Sequence, residues 1–166
     1  MRPPGSRTTT ETADKPWETT PEKPGVRPLI LVVEDNPHDW EIYGKILWYN
    51  GFDCIYAANG IEGLSLARQH RPDVIVLDIG LPGIDGLELC RRLHAEPATR
   101  DMPVIFLTAA PARDFEHAAD KAGCAQYIEK PASPVELLHA VEALVGRAPP
   151  AGEGSPPRLR DGVHMA

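Results

Sequence analysis

Glu34-Asp35, Asp78, Thr108 and Lys130 each close a short apolar run, and as a set they could bind a divalent cation and take up a phosphoryl group. Leu29 to Val33 runs into the acidic pair and Val74 to Leu77 into Asp78. Val104 to Leu107 runs into Thr108, and the weaker Tyr127-Ile128 reaches Lys130-Pro131. If the runs are parallel strands of one sheet, their carboxyl ends share the edge where open α/β sheets bind ligands. Three carboxylates within about 5 Å of one another would repel by on the order of 3 kcal/mol per pair at an effective dielectric near 20. Such a site either takes up a proton or holds a cation. Hard oxygen ligands with room for water and phosphate favour Mg²⁺ (or Mn²⁺) over zinc or a soft metal.

Asp78 is the candidate nucleophile, because a carboxylate can accept a phosphoryl group as an acyl phosphate. A cation held by Glu34, Asp35 and Asp78 would neutralise developing charge and leave the protein chiefly to position the reactants. Lys130 supplies a second positive charge, paired with Asp78 before transfer and with phosphoryl oxygens after it. Thr108 can donate its hydroxyl to a phosphoryl oxygen.

These residues need a scaffold that brings four strand ends together. Strand-like runs fall near 28–33, 52–56, 73–77, 103–107 and 125–128, and amphipathic stretches near 37–49, 60–69, 86–95, 112–121 and 134–146. The first, third and fourth runs are almost continuously Val, Ile, Leu and Phe, as expected of strands covered on both faces. Asn36-Pro37 reads as a helix N-cap followed by proline at the first helical position. Asn59 with Glu62, Asp85 with Glu88, and Ser133 with Glu136 have capping-box spacing. Fivefold βα alternation predicts right-handed crossovers and a parallel sheet with helices on both faces, an α/β fold.

Composition narrows the function. The chain has 166 residues and a formal charge of −7, concentrated between 28 and 147, where ten Lys/Arg face eighteen Asp/Glu. No basic stripe is available to neutralise nucleic-acid phosphates. No apolar stretch reaches the roughly 18 residues that suggest a membrane span, and no hydrophobic leader points to export, so a cytoplasmic location is expected. Residues 1–27 and 148–166 are rich in Pro with Thr or Gly and read as disordered tails around one domain at 28–147. Trp17 is the one large apolar residue of the first tail. Cys54, Cys90 and Cys124 fit neither a disulfide framework nor a zinc site and read as small buried hydrophobes.

Glu34-Asp35, Leu77-Asp78-Ile79-Gly80-Leu81-Pro82, Asp85-Gly86, Thr108-Ala109 and Tyr127-Ile128-Glu129-Lys130-Pro131, in this order and each at a strand end, resemble the receiver domain of two-component response regulators. The resemblance covers essentially all of 28–147. It implies a flavodoxin-like (βα)5 fold with strand order 2-1-3-4-5, which periodicity alone does not supply. It further implies that Asp78 is phosphorylated by the phosphohistidine of a histidine kinase or histidine phosphotransfer protein, with Mg²⁺ also touched by the Gly80 backbone carbonyl. Thr108 would then move inward and Tyr127 from solvent to a buried rotamer, switching the face of the fourth helix, fifth strand and fifth helix for a downstream protein target. The chain would not be a conventional enzyme, but would catalyse its own aspartyl phosphorylation and dephosphorylation.

In the receiver pattern the second positions after Asp78 and Thr108 tune phosphate lifetime. Here they are Gly80 and Ala110. With no polar side chain to orient attacking water, slow self-dephosphorylation is expected; with none to block it, the opposite is the alternative. About twenty residues after the fifth helix are too few for an output module. A stand-alone switch and a phosphorelay carrier both stay open, with a phosphate-independent scaffold or adaptor as the alternative function. A flavodoxin-like redox protein would need a Ser/Thr/Gly-rich cradle where Glu34-Asp35-Asn36-Pro37 stands. An isologous homodimer through the fourth helix, fifth strand and fifth helix would fit the family, although Arg113, Glu116, His117, Lys121, Gln126 and Glu129 could equally face water. His38 is the histidine nearest the acidic pair and reads as an exposed helix residue.

Overall fold

The computed structural model describes residues 27–109, 111–123 and 125–145. Five strands alternate with five helices: β1 (Leu29–Val33), α1 (Pro37–Tyr49), β2 (Asp53–Ala57), α2 (Gly60–His70), β3 (Val74–Asp78), α3 (Gly86–Ala95), β4 (Val104–Thr108), α4 (Ala112–Ala122), β5 (Gln126–Glu129) and α5 (Pro134–Val145). The strands form one parallel sheet in the order β2-β1-β3-β4-β5, the flavodoxin-like arrangement expected. The tails expected over 1–27 and 148–166, with Trp17, lie outside the described residues except for Arg27. So do Cys124, Ala110 and the last residue expected of the fifth helix.

Alternation along the strands divides the core in two. Ile30 and Val32 of β1 face α1 and α5 in a cluster with Tyr43, Leu47, Leu137 and Val141. Leu31 and Val33 face the other way, toward Leu64, Leu89, Leu93 and Ala119 of α2, α3 and α4. Both faces of the central strands are therefore dry, which is why their sequences are continuously apolar. Helix starts are capped as the spacing predicts. Asn36 accepts from the His38 amide, Asn59 from Glu62 and Asp85 from Glu88, while the Glu62 side chain accepts in turn from the Ala58 amide. Ser133 stands directly before α5, its carbonyl accepting from the Leu137 amide.

β1 ends at Val33 as expected, whereas β2 to β5 each end one residue farther along the chain, so that Asp78 and Thr108 are themselves strand residues. The ladder runs past the apolar side chains. The Glu34 amide donates to Ala57 at 3.0 Å, the Ile79 amide to Leu107 at 3.0 Å and the Lys130 amide to Thr108 at 2.7 Å. The polar strand ends are thus pinned by backbone bonds rather than carried on free loops. Glycine matters most at Gly86, where a Cβ would sit 2.7 Å from the Asp78 carbonyl oxygen and 2.8 Å from Ile79 Cα. Only a residue without a side chain lets α3 begin against the end of β3.

Candidate functional site

The three sheet-end carboxylates converge. Ligand-capable oxygens of Glu34, Asp35 and Asp78 all lie within 4.8 Å of one another. Glu34 is 1% exposed and Asp78 8%, while Asp35 faces solvent. Lys130 reaches into the cluster from the end of β5, its Nζ 2.7 Å from Glu34 Oε2 and 3.2 Å from Asp78 Oδ2. The remaining oxygens are also engaged: Glu34 Oε1 accepts from the Asn36 amide at 3.2 Å and Asp78 Oδ1 from the Gly80 amide at 3.0 Å. The peptide bond between Lys130 and Pro131 is cis.

Three carboxylates against one ammonium leave an excess of negative charge in a largely buried place. Burial pushes the Glu34 carboxyl up to about 7; the charge of Asp78 adds to this, while Lys130 and the Asn36 amide work against it. Burial opposes the charge of Lys130, yet its hydrogen bond to Glu34 and the charges of Asp78 and Glu34 outweigh that, so its pKa rises. A carboxyl that retains its proton near neutrality because it is buried, and beside another carboxylate, is a group prepared for a divalent cation. The donor set is all oxygen and fits a hard ion such as Mg²⁺. The acidic pair and Asp78 are thus brought together at the sheet edge, as their positions in the sequence imply.

The other expected residues fall around this cluster. Thr108 is 2% exposed, at the end of β4, one register step past Leu107, the partner of Asp78. Gly80 follows β3, where a Cβ would stand 3.7 Å from Asp78 Oδ1; a side chain at this position would lie beside the Asp78 carboxylate. The Gly80 amide donates to the Asp78 carboxylate. Tyr127 is half-buried and packs against the cluster that holds Phe106 and Ala119. Arg113, His117, Lys121 and Glu129 are exposed and Gln126 is half-buried; the Glu116 side chain lies outside the described residues. Cys54 and Cys90 are buried thiols, and burial pushes the Cys54 thiol up to about 12, so it is no nucleophile.

Two features were not anticipated. Asp39, in the first turn of α1, places Oδ2 3.8 Å from Lys130 Nζ. A cavity of about 500 Å³ opens between α1 and the β5–α5 loop, lined by His38, Asp39, Ile42, Tyr43, Lys130 and Pro131 among others. His38 is exposed there, as expected. No helix among the described residues is long and apolar enough to cross a membrane.

The comparisons agree with this geometry. A family model described as the response regulator receiver domain matches residues 30–142. The polar-differentiation response regulator DivK of Brucella anthropi is 35% identical over 119 residues, covering 72% of this chain and 97% of that relative. The solved signal receiver domain of a signal transduction histidine kinase from Syntrophus aciditrophicus is 34% identical, with a TM-score of 0.65, covering 72% of this chain and 91% of that one. A CheY-like response regulator receiver domain protein from Methanospirillum hungatei is 27% identical, with a TM-score of 0.66, covering 71% of this chain and 93% of that one.

Proposed function

This chain belongs to the response regulator receiver domain family of two-component signalling, and from that premise we propose that Asp78 accepts a phosphoryl group from the phosphohistidine of a histidine kinase or a histidine phosphotransfer protein. In that step an Asp78 carboxylate oxygen forms a bond to phosphorus as the phosphorus–nitrogen bond of the donor breaks. The observation that carries the reading is the triad within 4.8 Å, bridged by Lys130 between Glu34 and Asp78.

Glu34, Asp35 and Asp78 would hold the Mg²⁺ that receiver domains bind at such a pocket, with the Gly80 carbonyl as a further ligand. When bound, the cation neutralises the carboxylates and the charge that develops on the transferring oxygens. The Gly80 amide orients the Asp78 carboxylate. Lys130 exchanges Asp78 for a phosphoryl oxygen once the acyl phosphate has formed, a charge-assisted hydrogen bond of the stronger kind. Thr108 offers its hydroxyl to another.

Occupation of the site by phosphate would bias Thr108 and Tyr127, and through them the surface of α4, β5 and α5 for a downstream protein target or a second copy of the chain. Thr108 and Lys130 share a backbone bond, so the phosphate-sensing ends of β4 and β5 move together. A cytoplasmic setting follows from a kinase partner. Gly80, with Ala110, would set the lifetime of the acyl phosphate, which the protein itself both forms and hydrolyses.

The test is incubation with a small acyl-phosphate donor and Mg²⁺, followed by intact-mass measurement on the parent and on Asp78→Asn. Addition of one phosphoryl group to the parent and none to Asp78→Asn supports the reading. No addition to either, together with no binding of beryllofluoride, would place the chain with phosphate-independent adaptors instead.

A further inference from the structure

We infer that Asp39 is a positioning residue for phosphoryl transfer, holding the Lys130 ammonium beside Asp78 when Glu34 and Asp78 are engaged elsewhere. The inference rests on the reading of Asp78 as phosphoacceptor. Lys130 Nζ has three carboxylates around it, Glu34 at 2.7 Å, Asp78 at 3.2 Å and Asp39 at 3.8 Å. Glu34 and Asp78 belong to the cation-ready triad, and Asp39 does not. During transfer both triad carboxylates have other work: Glu34 toward the cation, Asp78 toward the cation and phosphorus. An ammonium that kept only those two anchors would lose much of its hold when they turn away, and would meet the repulsion of a divalent charge close by. Asp39 answers neither demand and can keep Lys130 in place.

Where Asp39 stands suits this task. It lies in the first turn of α1, whose positive end favours an ionised carboxylate. Its side chain is 31% exposed and stays hydrated, whereas Lys130 at 20% is too enclosed to be held by water alone. Asp39 and Lys130 share a wall of the cavity between α1 and the β5–α5 loop, so the pair links the reacting centre to α1 directly. Asp39 also acts on its own helix: after burial, its charge is the leading cause that holds the Tyr43 hydroxyl protonated.

The experiment compares parent, Asp39→Asn, Asp39→Glu, Lys130→Ala and the Asp39→Asn/Lys130→Ala double variant in the full chain. Three quantities are read: the rate of loading by a small acyl-phosphate donor at saturating Mg²⁺, the Mg²⁺ dissociation constant from tryptophan fluorescence, and the Lys130 ammonium signal in ¹H–¹⁵N spectra of the Mg²⁺-bound protein. Asp39→Asn should slow loading by about fivefold, the upper range for a partly exposed ion pair. Mg²⁺ affinity should stay within about twofold, because Asp39 is not a ligand, and the ammonium signal should broaden as exchange with water quickens. Asp39→Glu should recover most of the rate. In the Lys130→Ala background Asp39→Asn should change nothing, since residues that act through one another are not additive. Equal slowing in both backgrounds, an unchanged loading rate, an unchanged ammonium signal, or a parallel loss of Mg²⁺ affinity overturns the assignment. A parent protein that takes up no phosphate overturns the phosphoacceptor reading and this one with it; a parent that loads while Asp39→Asn loads as fast overturns this one alone.

Discussion

Replacing Glu34 by glutamine should make the metal-free protein more stable at pH 8 and leave it nearly unchanged at pH 4. The Glu34 carboxyl is 1% exposed and its pKa is pushed from 4.5 to about 7, by burial first and by Asp78 after it, with Lys130 opposing. A group that holds its proton more tightly folded than unfolded stabilises the fold fully below its unfolded pKa. That stability drains away as pH rises from 4.5 through about 7. The interval corresponds to about 3 kcal/mol. Glutamine keeps the shape and cannot ionise, so the variant escapes this loss. Urea denaturation in the presence of a chelator, at four pH values between 4 and 8, reads the difference directly. Adding Mg²⁺ should restore the parent and not the variant, by about 3 kcal/mol at a hundredfold excess over the dissociation constant. A variant that is less stable than the parent at pH 8 without metal would refute the reasoning. The Lys130 bridge would then outweigh the burial of Glu34, and the pocket would not be waiting for a cation.

Gly86→Ala should cost about 2 kcal/mol, because the new methyl meets backbone atoms of Asp78 and Ile79 that cannot step aside; an unchanged urea midpoint would show that α3 starts farther from β3 than described. Gly80→Asn places a polar side chain beside Asp78 Oδ1, where a Cβ fits at 3.7 Å. It should alter the lifetime of the acyl phosphate severalfold, about 1 kcal/mol in barrier, measured by decay of the phosphorylated mass; an identical lifetime would remove Gly80 from the tuning role.

Much of the site could be read along the chain because its residues sit where an apolar run stops. Val74 to Leu77 must be buried on both faces, so the first polar residue, Asp78, has nowhere to lie but the sheet edge. The same logic located Glu34 and Thr108, Lys130 stands one residue past Glu129 at the end of the weaker fifth run, and caps such as Asn59 with Glu62 marked the helix starts. Hydrophobicity places the ends of β3 and β4 one residue early, since the hydrogen-bond ladder continues through Asp78 and Thr108. Strand order depends on which helices cover which face, a non-local property, and entered only through the family resemblance. Asp39 was missed for a related reason. It looks like an ordinary acidic first-turn residue, and its link to Lys130 exists only because α1 and the end of β5 meet across the sheet edge. Likewise, Cys90 and His94 of α3 both reach the Ala122 carbonyl at the end of α4, a contact with no sequence signature.

The central claim is that the Asp78 carboxylate, and no other, receives the phosphoryl group. Loading the parent with an acyl-phosphate donor and Mg²⁺, trapping the product by borohydride reduction and mapping it by peptide mass spectrometry tests this most directly. The account predicts reduction at Asp78 alone, abolished by chelation of Mg²⁺. Label at Asp35, on a histidine, or nowhere in the chain would contradict it.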